Sequence, residues 1–327
     1  MRYGIEAMRF LRSMFLRAAA AALAVGVLSS GCGGGSGEEG AGRLKVAAGL
    51  PPVAYLAKRV GGDAVDVRTM LPEGRNPHDY SPGPREVRDA AASRVFFTTG
   101  MRFESALARP LRQGKTRIVD VTRGIDRLPM ELSCGDHDHG HDHDHDADHA
   151  HGHDHEHGEA LDPHVWLGLD NACRMAENIR DELCSLDPDH AAAYRDNCRR
   201  LTAEFAALER RLKADFAPYA GRRFYVYHPA FGYFAKMLGL RQEAVELGGR
   251  EVTPARMAEI VKHAEKDRVR TIFVQPQFSP SVCRALEREL HVRTVPADPL
   301  REDLAANFVD LAKVLKAGFD GEAEAKR

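Results

Sequence analysis

Several features are scarce or absent in this chain of 327 residues, and each absence excludes a class of protein. Lysine plus arginine (46) nearly balance aspartate plus glutamate (48), so the chain has no basic field of the kind that binds nucleic acid. Its six cysteines include no Cys-x-x-Cys pair, which argues against a zinc finger and against a thioredoxin-type redox site. The length suffices for one large or two medium globular domains.

The N-terminus predicts export. Its apolar stretch, residues 18–28, is only 11 residues long, whereas a membrane-spanning helix needs about 20. Because four arginines precede this stretch, residues 1–32 are expected to be a signal peptide. The segment 28–32 (Leu-Ser-Ser-Gly-Cys) resembles a bacterial lipobox, although Ser29 stands where an aliphatic residue is preferred. Cys32 is therefore the expected lipidation site, the alternative being a soluble secreted protein. Residues 33–43 are rich in glycine and are expected to be a flexible tether.

Apolar, β-rich segments alternate with helical patterns along the rest of the chain. The expected strands are 44–48, 65–70, 95–98 and 118–121 in the first half, and 224–227, 244–247, 271–274 and 292–295 in the second. This alternation predicts an α/β fold with two lobes, each a mostly parallel sheet flanked by helices. The expected domains are an N-terminal lobe (44–187), a linking helix (188–217) and a C-terminal lobe (218–327).

The linking helix is predicted from its apolar stripe. Apolar residues recur there at spacings of three and four, which is typical of one face of an α-helix. The residues of this stripe are Tyr194, Cys198, Leu201, Phe205, Leu208 and Leu212. At 1.5 Å per residue, a helix that runs to about residue 216 would be roughly 40 Å long, enough to connect two lobes rigidly.

A run of 22 residues, 136–157, is unusually rich in histidine and acidic side chains. It cannot build a core and is expected to be a mobile loop. Ten histidines are its candidate accessory metal ligands: His137, His139, His141, His143, His145, His149, His151, His153, His155 and His157. Three interpretations remain open, namely a weak collector of several zinc ions, a sensor of pH or zinc, and a solvated insert without function.

Five cysteines remain after Cys32: Cys134, Cys173, Cys184, Cys198 and Cys283. An exported protein can form disulfides, but an odd number leaves at least one thiol unpaired within a monomer. Cys173 or Cys184 would be able to meet Cys198 if their two helices lay antiparallel. The pairing stays open from the sequence.

Four candidate metal ligands follow predicted strands or begin helical segments, and each has a proline next to it: His78, His164, His228 and Asp298. In open α/β sheets, ligands bind at the carboxyl ends of the strands. Two candidates come from each half of the chain, so a site between the lobes is expected. The neighbouring prolines stiffen the backbone that directs each side chain.

The local sequences around these residues carry a specific resemblance. They read Asn-Pro-His-Asp-Tyr (76–80), Asp-Pro-His-Val-Trp-Leu (162–167), Tyr-His-Pro-Ala-Phe-Gly-Tyr-Phe-Ala (227–235) and Asp-Pro-Leu (298–300). In this order they resemble the metal-binding solute receptors of ABC importers, in particular the zinc (ZnuA-type) branch, over residues 44–317. The resemblance implies a lobed receptor with a long backbone helix and a metal held by His78, His164, His228 and Asp298.

The same resemblance implies function and partners. It implies an exported, monomeric protein that is not an enzyme and that passes its metal to an ABC permease with a cytoplasmic ATPase. Only a lipid anchor would attach it to the membrane. Manganese members often carry glutamate at the third position, where this chain has His228; imidazole suits zinc, so Zn²⁺ is expected ahead of Mn²⁺. The alternatives are a manganese receptor, a secreted metal buffer or adhesin, and a zinc hydrolase with an activated water.

Overall fold

Two parallel four-stranded sheets organise the chain. The computed structural model describes residues 42–130, 161–246, 254–267 and 269–324. The elements of the first half are β1 (Leu44–Ala48), α1 (Pro51–Gly61), β2 (Val65–Thr69), α2 (Pro84–Ala91), β3 (Val95–Thr98), α3 (Arg102–Leu111) and β4 (Arg117–Asp120). Their strands form a sheet in the order β2-β1-β3-β4, with every neighbouring pair parallel.

The second half begins with two long helices and then repeats this topology. Its elements are α4 (Leu169–Leu186), α5 (Ala191–Phe216), β5 (Arg223–Val226), α6 (Gly232–Leu238), β6 (Arg241–Ala244), α7 (Pro254–Asp267), β7 (Thr271–Val274), α8 (Pro280–Leu290), β8 (Arg293–Pro296) and α9 (Leu304–Glu324). The sheet order is β6-β5-β7-β8, again parallel throughout. The predicted two-lobed α/β fold is therefore confirmed.

The inner strands are apolar because helices cover both faces of each sheet. All four residues of β3, Val-Phe-Phe-Thr, are buried, and β7 buries Ile272, Phe273 and Val274. A strand that is covered on both sides reads as a continuous apolar run and not as an alternating pattern. This is why short apolar segments were sufficient to locate the strands.

Helix α5 links the two sheets, as the stripe predicts. Its 26 residues are extended at both ends by a 3₁₀ turn, Pro188–His190 and Ala217–Tyr219. It packs on α1 and α4 beside the first sheet and on α6 and α9 beside the second. Of the predicted stripe, Leu208 alone is only partly buried. Asp187 ends the preceding helix and accepts a hydrogen bond from the Tyr194 hydroxyl at 2.6 Å, which fixes the turn into α5.

One expected strand differs from the structure in its bounds, and the structure also shows the state of the cysteines whose pairing the sequence leaves open. The expected strand 244–247 is shifted, because the ladder pairs β6 (Arg241–Ala244) with β5 (Arg223–Val226). Val245 still donates its backbone N–H to Val226 at 2.9 Å, so the apolar signal marked the C-terminal continuation of this strand. Among the described cysteines, Cys173, Cys184, Cys198 and Cys283 are all unpaired.

None of the described helices is both long and apolar enough to cross a membrane. The signal peptide, Cys32, the tether before residue 42, Cys134 and the histidine-rich run all lie outside the described residues.

Candidate metal centre

His78 lies in the loop that follows β2. Its backbone N–H donates to the Asn76 side-chain oxygen at 3.1 Å, and Tyr80 donates its backbone N–H to the Asn76 carbonyl at 3.1 Å. Pro77 between them fixes one backbone dihedral of the turn. The asparagine and the proline together hold the His78 ring at the carboxyl end of the first sheet.

His164 precedes a 3₁₀ turn, Val165–Leu167, that leads into α4. Asp162 Oδ1 accepts hydrogen bonds from both the backbone N–H and the ring Nδ1 of His164, each at 2.8 Å. Both residues are 2% exposed. Asp162 also lies against the second lobe, since a Cβ on Gly232 would approach Asp162 Oδ2 to 2.8 Å. The Asp-Pro-His motif therefore supplies both a candidate ligand, His164, and the carboxylate that holds it, Asp162.

His228 follows β5 and is held by two elements of the second sheet. Gln275, directly after β7, accepts from the His228 backbone N–H at 3.3 Å and donates to its carbonyl at 2.7 Å. Glu246, two residues after β6, accepts from the His228 ring Nδ1 at 2.6 Å. Neighbouring parallel strands thus fix both the backbone and the ring.

The three rings converge on one point. His78 Nε2 lies 3.1 Å from His164 Nε2 and 3.1 Å from His228 Nε2, and the three candidate ligand atoms all lie within 4.8 Å of one another. Tetrahedral zinc with Zn–N bonds of about 2.0–2.1 Å places its ligand atoms about 3.3 Å apart. The cavity that the rings line has a volume of about 20 Å³, which is room for one water-sized body. The site is sized for a single metal ion.

The ring tautomers also suit a metal. A carboxylate accepts hydrogen bonds and does not donate them, so the Nδ1 atoms of His164 and His228 carry protons. In the neutral form of each ring, Nε2 then keeps its lone pair. Burial lowers the pKa of His78 to about 3, and the nearness of two other ionisable rings, His164 and His228, lowers it further. Burial also lowers the pKa of His164, although Asp162 opposes this shift. These two rings are neutral at physiological pH and are ready to bind a cation.

Asp298 stands beside this group without joining it. Its Oδ1 accepts from the Gln277 side-chain nitrogen at 2.8 Å and from the Leu300 backbone N–H at 2.9 Å. Among the described residues, the cluster of ligand atoms within 4.8 Å comprises the three histidines alone. The structure therefore brings together three of the four predicted ligands and leaves the Asp298 carboxylate out of their cluster.

The supporting residues that were missed from the sequence include Asp162, Glu246 and Gln277. Asp162 belongs to the Asp-Pro-His motif, in which the sequence points to a role for the histidine alone. Glu246 had a usable signal, because an acid within the apolar segment 244–247 needs a buried partner. Gln277 had no signal of its own, since its role depends on packing between loops that are distant in sequence.

Comparison with known proteins agrees with this geometry. The family model described as "Zinc-uptake complex component A periplasmic" matches residues 46–317. A Treponema pallidum (strain Nichols) protein named for metal binding is 31% identical over 254 residues, which are 76% of this chain and 77% of that one. The high-affinity zinc uptake system protein ZnuA of Bacillus subtilis (strain 168) is 28% identical over 304 residues, or 88% of this chain and 91% of that one.

A longer relative and a solved structure extend the comparison. The zinc-binding lipoprotein AdcA of Streptococcus pneumoniae serotype 4 is 28% identical over 300 residues, which are 87% of this chain but only 57% of AdcA. The chain therefore spans little more than half the length of that relative. A crystal structure of ZnuA superposes with a TM-score of 0.73 and 26% identity, covering 84% of this chain and 99% of that one.

The match extends over both sheets and the helix between them, and includes the segments that carry all three converging histidines. The names of the family and of these relatives refer to metal binding and zinc uptake, and none refers to catalysis. The chain belongs to the ZnuA family of periplasmic zinc-uptake components.

Proposed function

We propose that this protein is an extracytoplasmic receptor that captures Zn²⁺ with high affinity and delivers it to an ABC permease for uptake. One observation carries the proposal, namely the convergence of the Nε2 atoms of His78, His164 and His228 on one small cavity. Neutral imidazoles suit zinc better than they suit manganese, which prefers oxygen donors. The zinc-related names of the family and of its members in Bacillus and Streptococcus support the same metal.

In this proposal the three histidines bind the ion directly. Asp162 and Glu246 hold two of the rings and raise the basicity of their Nε2 atoms, as carboxylates behind zinc-bound histidines do. Asp298 supplies a further carboxylate at the edge of the same site. Because the ligands come from both lobes, metal release needs only a small movement of a loop or a lobe, and the long helix α5 opposes a wide hinge opening.

The remaining parts of the proposal concern the partners of the receptor. The ion passes to a permease that is driven by a cytoplasmic ATPase. A lipid on Cys32 keeps the receptor at the outer face of the membrane, which is supported by the lipobox-like sequence and by the lipoprotein name of AdcA. The histidine-rich run 136–157 binds further zinc ions more weakly, because a segment of this composition is not expected to preorganise its imidazoles.

A competitive zinc titration against a chromophoric chelator tests this function, with stoichiometry read by elemental analysis. We expect one tight zinc per chain, retained when residues 136–157 are deleted and lost in His164→Ala and in His228→Ala. His263→Ala, on α7, is the matched control and is expected to bind as the unchanged protein does. Loss of the tight zinc with the deletion, or its retention in both ligand variants, would refute the proposed site.

A further inference from the structure

Gln277 lies between the three histidines and Asp298. It lines the small cavity together with His78, His164 and His228, and it also lines a neighbouring cleft of about 350 Å³, which Asp298 lines as well. Its side-chain nitrogen donates to Asp298 Oδ1 at 2.8 Å. Its side-chain oxygen is buried and has no hydrogen-bond partner; among the described residues it is the one buried side-chain N or O atom in this condition.

The orientation of this amide follows from its chemistry. Asp298 Oδ1 already accepts a second hydrogen bond, from the Leu300 backbone N–H at 2.9 Å, and an ionised carboxylate has no proton to give. The amide nitrogen must therefore face Asp298, and the oxygen must be the atom that is left without a partner. A buried amide oxygen that accepts no hydrogen bond is energetically unfavourable, so a group that it can bind is expected next to it.

Two of the converging histidines are each paired with a carboxylate, as Gln277 is. Asp162 supports His164 at 2.8 Å, and Glu246 supports His228 at 2.6 Å. In each pair a carboxylate accepts the N–H of a neutral group and leaves the opposite atom of that group as an electron-pair donor. Asp298 and Gln277 form a third pair of the same kind, with an amide in place of an imidazole.

We infer that Gln277 Oε1 is the fourth protein donor to the ion, and that Asp298 acts through it instead of binding the metal itself. The carboxylate polarises the amide and makes its oxygen a stronger donor. All four ligands are then neutral, and three carboxylates surround them one bond further out. This inference rests on the proposed zinc function of the site and specifies how its fourth position is filled.

The test compares variants by zinc affinity and by the visible d–d spectrum of the protein loaded with one equivalent of Co²⁺, which reports the number and kind of ligands. Gln277→Met removes the donor at similar volume, and we expect zinc affinity to fall about 10- to 100-fold with a changed Co²⁺ spectrum. Gln277→Glu keeps an oxygen donor but loses the N–H that Asp298 accepts, so we expect a four-coordinate Co²⁺ spectrum in which a carboxylate replaces the amide. Gln113→Met, on an exposed residue, is the matched control.

Asp298→Asn separates the two candidates for the fourth ligand. Its amide oxygen can still accept from Gln277, so we expect a Co²⁺ spectrum like that of the unchanged protein and a loss of zinc affinity of about tenfold or less. The inference is overturned if Asp298→Asn changes the spectrum while Gln277→Met does not. If His164→Ala also leaves zinc affinity unchanged, the proposed function itself has failed. If His164→Ala loses zinc while Gln277→Met has the same zinc affinity and Co²⁺ spectrum as Gln113→Met, only the role of Gln277 is wrong.

Discussion

Asp162 provides the most informative perturbation of the site, because one carboxylate oxygen fixes both the backbone and the ring of His164. Asp162→Ala removes the acceptor for two hydrogen bonds of 2.8 Å each. Loss of a carboxylate behind a metal-bound histidine typically weakens metal binding by about 10- to 100-fold, which corresponds to about 1.4–2.8 kcal/mol. We expect a loss of zinc affinity in this range.

The same change lowers stability in the absence of metal. Two buried donors, the backbone N–H and the ring Nδ1–H of His164, lose their partner, and each unsatisfied group costs about 1–3 kcal/mol. The free energy of unfolding is therefore expected to fall by about 2–6 kcal/mol, measured by urea unfolding of protein treated with chelator. Asp162→Asn retains an accepting oxygen and should show smaller losses in both measurements.

Zinc competition and urea unfolding are carried out on Asp162→Ala, Asp162→Asn and Asp66→Ala, the last being a control on an exposed position of β2. If Asp162→Ala folds and binds zinc as tightly as Asp66→Ala, the carboxylate does not support a ligand, and the reasoning from the hydrogen bonds of His164 is refuted.

Two further predictions concern groups near the site and in the first lobe. Trp166 is the single tryptophan of the chain; its ring lies 5.4 Å from that of His164, and its Nε1 donates to the Pro299 carbonyl at 2.7 Å. We therefore expect zinc binding to change the tryptophan fluorescence. An unchanged emission in a saturating zinc titration would contradict this expectation. Burial raises the pKa of Glu104 to about 7 although three backbone N–H groups bond to its carboxylate, so its contribution to stability is fully present below about pH 4.5 and is lost as the pH rises through 7. Glu104→Gln removes this titration. In urea unfolding, the free energy of unfolding of the variant relative to that of the unchanged protein should therefore rise by up to about 3 kcal/mol between pH 5 and pH 8. A difference that is constant with pH would show that Glu104 does not titrate in this range.

Much of the fold could be read from local patterns. The strand β3 and the stripe of α5 are apolar because of the environment that they enter. The sequence itself shows this environment, as a continuous apolar run in β3 and as a helical period in α5. The edge of β6 was harder to place, because Arg241 and Glu243 are polar and only the hydrogen-bond ladder with β5 shows where the strand begins. Strand pairing is a property of two segments, and a single segment does not contain it.

The sequence by itself determined the α/β class, the linking helix and the three histidines that the structure brings together. Each of these rests on information within a few residues: an apolar period, or a histidine next to a proline that stiffens its backbone. Only the tertiary structure decided which groups support the ligands. Glu246 reaches His228 from the neighbouring strand, 18 residues away, and Gln277 reaches Asp298 across 21 residues. Such pairs are set by the register of the strands and by the packing of loops, which place side chains within 3 Å of each other. The local sequence indicates at most that Glu246 needs a buried partner, and it does not say which one.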